Sequence, residues 1–138
     1  MDETFDPLCE LEFTETQTGR KVEVRLGAPT FDAIKNDWYC FTEVVGLVEG
    51  TLARTYSSDP FHAIGMSFVR FRVIFERQSG EFRSATGASP HVYFPKYIPW
   101  IYGDDVYERI CKLVDEEVQK IEDERTKRRE RRNPDDGK

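Results

Sequence analysis

The chain has 138 residues, 38% of them hydrophobic, with ten Phe, six Tyr and two Trp. That is enough for one apolar core and too aromatic for a disordered polymer. The net charge of −6 disfavours a phosphate backbone and favours a basic partner.

No apolar run approaches the roughly 20 residues that cross a bilayer. The opening MDETFDPLCELEF lacks the basic and apolar regions of a secretory signal. No membrane association is expected, and a cytoplasmic location is.

CELEF alternates Cys9, Leu11 and Phe13 against Glu10 and Glu12, the period of a half-buried strand. After the turn TQTG, KVEVRL places Val22, Val24 and Leu26 on one face, so the two runs predict a hairpin. GAPTFD interrupts the pattern, because Pro29 cannot donate to a ladder. NDWYCFTEVVGLVEG is dense in β-branched and aromatic residues and predicts a longer third strand, with its inward face formed by Trp38, Cys40 and Val44. A turn at 49–50 leads into TLARTYS as a fourth strand.

SSDPFHAIGMSFVRFRVIFERQSG supports two patterns. A helix aligns Phe61, Ile64, Phe68, Phe71 and Phe75, with Met66, Val69 and Val73 widening the stripe; Ser58 or Asp59 caps it and Pro60 fits its first turn. A strand over 67–77 would put Val69, Phe71, Val73 and Phe75 on one face. Length, caps and stripe select the helix. The following segment, rich in proline and aromatics, reads as irregular, with a short strand near Glu81–Ser84 or Val92–Phe94. Asp104 or Asp105 then caps a last helix whose stripe is Val106, Ile110, Leu113 or Val114, Val118 and Ile121, supported outside by Glu108 with Lys112 and Glu116 with Lys120.

The expected fold is therefore α+β. An antiparallel four-stranded meander (8–15, 20–27, 36–48, 51–57) is packed by helices over 60–78 and 104–128. Residues 1–124 form one domain, and 125–138 a charged helix end and tail.

The chemistry is mostly one of exclusion. Cys9, Cys40 and Cys111 are odd in number and lack CxxC spacing, which rules out a simple disulfide framework or a thiolate zinc site. A nucleophilic cysteine needs a base, and only His62 and His91 are available. Cys40 beside Trp38 occupies an interior strand position that raises a thiol pKa. With no HxH, HExxH, GxSxG or phosphate-binding glycine loop, no catalytic, cofactor or metal residue is assigned and no cofactor is expected. The basic KRRERR is flanked by acidic runs that nearly neutralise it, so nucleic-acid binding is not expected.

FPKYIPWIYGDD joins rigid aromatic anchors to carboxylates at a helix start. Tyr97, Trp100, Tyr102, Asp104, Asp105 and Glu108 are the candidate partner-binding residues. Two alternatives stay open: a small enzyme using Cys40 or a carboxylate near His62 or His91, and an adaptor whose basic tail contacts nucleic acid.

GAP after the second strand, DWYC and VVGL in the third, and SSDPFHAI opening a helix occur in that order. Carried by Asp37, Trp38, Cys40, Gly46, Leu47, Asp59 and Ala63, the pattern resembles a family of small bacterial domains. These look like the immunity proteins encoded beside toxins, as in contact-dependent growth inhibition. The helix of that family is rich in leucine and alanine, whereas this one is rich in phenylalanine. The resemblance implies a non-enzymatic binder that neutralises one cognate toxin domain, 1:1, with the acidic surface filling the cleft of a basic toxin such as a nuclease.

Overall fold

In the computed structural model, residues 4–95 and 103–132 are described. They fall in two compact units, Met1–Tyr97 and Ile98–Lys138. The first is an antiparallel sheet with helices on it: β1 (Pro7–Glu15), β2 (Lys21–Gly27), β3 (Thr30–Asp32), β4 (Asp37–Val45), β5 (Ala53–Ser57), α1 (Pro60–Glu76), β6 (Phe82–Ser84) and the short α2 (Pro90–Tyr93). The second holds α3 (Asp104–Arg132).

The expected meander is present, since β1 pairs with β2, β2 with β4, and β4 with β5. Gly19, at φ 73, closes the β1–β2 turn. β4 ends at Val45, three residues before the predicted end, because Gly46 (φ 103) begins the turn to β5.

Two three-residue strands complete the sheet. GAPTFD does not end the pairing. After the break at Pro29, Thr30–Asp32 rejoins the same edge of β4, its register displaced by one from that of β2. β6 pairs with Phe13–Glu15, which selects the first of the two sites anticipated for a short strand. The second site is helical, because Pro90 follows Ser89 and opens α2.

The segment 67–77 is helix. Asp59 accepts a hydrogen bond from the His62 backbone N–H at 2.8 Å, and Pro60 occupies the first turn. The buried stripe is rotated from the predicted one: Ala63, Ser67, Phe71, Ile74 and Phe75 are buried, while Phe61 is exposed. Phe61 lies roughly 100° from the centre of that stripe at 3.6 residues per turn, and Met66, Val69 and Val73 lie further round still.

The core joins this stripe to Phe13, Val22, Val24, Leu26, Cys40, Val44 and Phe82, with Phe94 closing one end. Trp38 packs at its margin, so Trp38, Cys40 and Val44 share the inward face as expected. Phe13 sits at the centre, with its ring 5.1 Å from Phe75 and 5.7 Å from Tyr93.

α3 runs four residues beyond its predicted end, because the charged segment is itself made of good helix formers. Lys120 pairs with Glu117 at 3.2 Å and not with Glu116. Its apolar stripe, expected to face a core, contains no buried residue among those described.

Candidate functional site

Alternation in β1, β2 and β4 sends every second side chain away from α1, and the register decides which of these meet. On the outward face Glu10 lies opposite Arg25, Glu12 opposite Glu23, and Arg25 opposite Glu43. Arg25 donates to Glu43 at 2.9 Å and to Glu10 at 3.3 Å, and Lys21 approaches Glu12 at 3.3 Å. Four carboxylates thus share two cations across three adjacent strands.

The electrostatics follow from that imbalance. A hydrogen bond shared with the Glu10 carboxyl, with a little burial and the Glu10 charge, pushes Glu23 above the ordinary carboxylate value, and Arg25 only partly offsets this. Glu43 and then Glu10 hold Arg25 firmly cationic. Like charges placed directly opposite on a sheet destabilise it, so Glu12 and Glu23 form a site that an incoming cation would relieve.

Aromatic rings border the patch. Phe5 stacks on Phe41 at 5.2 Å, Tyr39 meets Phe41 edge-on at 5.3 Å, and Tyr56 lies 5.4 Å from Tyr39. Arg25 lies over Phe5, Arg54 over Tyr39 and Phe41, and Lys35 over Tyr56. Tyr56 also donates to Asp32 at 2.9 Å, which lowers the Asp32 pKa, as do the backbone N–H groups of Lys35 and Ile34. The rings are rigid, amphipathic contact area beside charge, the composition of an interface centre.

On the opposite face an apolar pocket of about 240 Å³ opens between sheet and helices, lined by Leu11, Leu26, Phe68, Phe71 and Phe94, with Cys9 and Glu10 among its walls. β6 pairs only with Phe13–Glu15, so the earlier part of β1 has no strand neighbour on that side among the described residues.

Of the candidate residues chosen from the sequence, Tyr97, Trp100 and Tyr102 lie outside the described residues. Asp104, Asp105 and Glu108 stand exposed on the first turns of α3. The outward face of the sheet was passed over: Glu10 and Glu12 read simply as solvent-side strand positions. Alternation gives their direction, but only the register brings Glu12 against Glu23 and joins Glu43 to them.

Cys40 is fully buried. Burial raises its thiol pKa, and a hydrogen bond with Ser67 partly counters this. His62 stands at the start of α1 and His91 in α2, hydrogen-bonded to Ser89. Among the described residues no three His, Cys, Asp or Glu side chains are grouped to hold a metal ion, and no helix is long and apolar enough to cross a membrane. No family model, curated protein or solved structure matches the chain.

Proposed function

We propose that this protein is a non-enzymatic immunity protein that binds and neutralises a cognate bacterial toxin domain, one toxin per chain. The observation that carries the reading is the under-compensated carboxylate patch of Glu10, Glu12, Glu23 and Glu43, built on three adjacent strands. The sheet fixes the backbone spacing of these groups before binding, so only their side chains remain to be ordered.

The partner that fits is basic, because lysine or arginine side chains would supply the cations that the patch lacks, and steering by the acidic chain would speed their encounter. The bordering rings of Phe5, Tyr39, Phe41 and Tyr56 supply apolar contact on the same face. Asp104, Asp105 and Glu108 form a separate acidic element for the same kind of partner.

The test is co-expression with the toxin encoded beside this chain. Cells should survive with the wild-type protein and die with Glu12→Lys/Glu23→Lys, a variant expected to keep its fold because both side chains face solvent. Cells that die as fast with the wild type as without it would sink the proposal.

A further inference from the structure

Six of the eight residues 125–132 are basic and one, Glu130, is acidic. As a linear string, this segment and its acidic flanks nearly cancel. Wound into α3 they do not, because a helix sorts charges by angle. At 100° per residue, Arg125, Arg128, Arg129 and Arg132 fall within a sector of about 100°, whereas Glu130 lies about 150° from its centre. The four arginines line a hollow of about 270 Å³. Of the four, only Arg125 has a carboxylate in reach among the described residues, Glu122 at 4.0 Å. This arrangement is set within one helix. Like charges around a shared hollow repel one another, and anions seated there relieve them.

The surrounding turns select the anion. No residue from Glu122 to Arg132 is apolar, so this stretch has nothing to insert into a lipid surface. No aromatic residue follows Tyr107, so the bases of a single strand find nothing to stack on here. A duplex, which presents phosphates without unstacking, suits the face better. The four arginines span about 10 Å of helix axis, and over that length DNA presents about six phosphates. The major groove of B-DNA admits an α-helix, whereas that of duplex RNA is too deep and narrow. The acidic turns before Arg125 are repelled by the same phosphates, which confines the contact to this end of the helix.

We infer that the arginine face at the end of α3 binds the phosphate backbone of duplex DNA through Arg125, Arg128, Arg129 and Arg132. The net charge of −6 keeps the contact weak and restricts it to low salt. The inference goes beyond the proposed toxin binding and does not depend on it, and no toxin enters its test.

The test is fluorescence anisotropy of a labelled DNA duplex with the full-length chain over a series of salt concentrations. Four phosphates neutralised, at about −0.9 each, give a slope of log K against log salt of about −3.6. Arg128→Gln/Arg132→Gln should halve that slope to about −1.8. Lys127→Gln/Arg131→Gln removes as much charge from other sides of the helix and should leave the slope near the wild-type value. Circular dichroism should show the same helix content in both variants, and duplex RNA should bind more weakly than DNA.

Equal losses in the two double variants would mean that the charge of this end acts as a whole, with no arginine face, and would overturn the inference. So would a DNA duplex that stays unbound at low salt, or one bound no more tightly than phosphatidylserine vesicles. Duplex RNA held as tightly as DNA would overturn the choice of ligand.

Discussion

Arg70 and Arg72 stand two residues apart on α1, and their surroundings give them opposite energetic signs. Arg70 reaches across to the sheet, donating to the Thr42 hydroxyl at 2.8 Å, the Thr42 carbonyl at 3.2 Å and the Thr51 carbonyl at 2.9 Å. Burial lowers its pKa, so its charge is kept at a cost that those three acceptors offset. Arg72 buries its Nε and Nη1 without a hydrogen-bond partner, and Nε reaches Glu76 only at 3.6 Å. Arg70→Met should therefore destabilise by about 2 kcal/mol, whereas Arg72→Met should be neutral or stabilise by up to about 1 kcal/mol. Urea midpoints at unchanged slope measure both; equal losses at the two positions would refute the distinction. Cys40 offers a chemical test at the same scale. A thiol-selective alkylator should modify exposed Cys9 rapidly in the native protein and reach Cys40 only after unfolding. Rapid native labelling of Cys40 would revive a nucleophilic role. Because burial raises this thiol above its ordinary value of 9.0, its contribution to stability is complete below that pH and is lost as pH rises through the folded value.

Three small substitutions separate the demands of the elements. Asp59→Ala removes the side-chain acceptor at the start of α1 and should cost about 1 kcal/mol. Gly50→Ala would drive a methyl group into the Val44 carbonyl oxygen and Cβ, where β4 turns back to β5, and should cost more than about 2 kcal/mol. Gly65, inside α1, has nothing within 4 Å of a built Cβ, so Gly65→Ala should stabilise by about 0.5–1 kcal/mol. Thermal denaturation of the three variants checks the order, and a Gly65→Ala variant as damaged as Gly50→Ala would contradict it. Elements of five residues or more were legible in the sequence because alternation and caps repeat within them. β3 was not, and β6 only as one of two sites, since three residues carry no period and their pairing is decided by β4 and β1. Of the expected α1 stripe, Phe71 and Phe75 are buried and Ile64 and Phe68 pack against the core, but Phe61 is exposed, because it counts as apolar wherever it points; the small inward residues Ala63 and Ser67 mark the close approach to the sheet. Of the candidate site, the outward direction of Glu10 and Glu12 was legible. Their company was not, because Glu23 and Glu43 reach them only through register.

At the scale of the whole molecule, an acidic face kept for a partner should carry a stability cost in the unbound protein. Glu23 shows where that cost falls: it lies opposite Glu12 and shares a hydrogen bond with Glu10, and its pKa is raised above 4.5 for that reason first. A carboxyl group raised on folding contributes stability that is present below 4.5 and is lost as pH rises through the folded value. Glu23→Gln mimics the protonated group, so it should match the wild type in acid and become the more stable of the two towards neutral pH. The gain should be a few tenths of a kcal/mol, the scale of relieving one exposed like-charge pair. Binding should move the other way. A basic partner favours ionised Glu23, so wild-type affinity should fall as pH drops towards 4.5, while the Gln variant binds more weakly at neutral pH and loses less on acidification. Calorimetry with the purified toxin domain, paired with melting curves over the same pH range, reads both quantities. A Gln variant that is less stable at neutral pH would mean that the patch is not strained, and one that binds as tightly as the wild type would mean that Glu23 is not part of the interface.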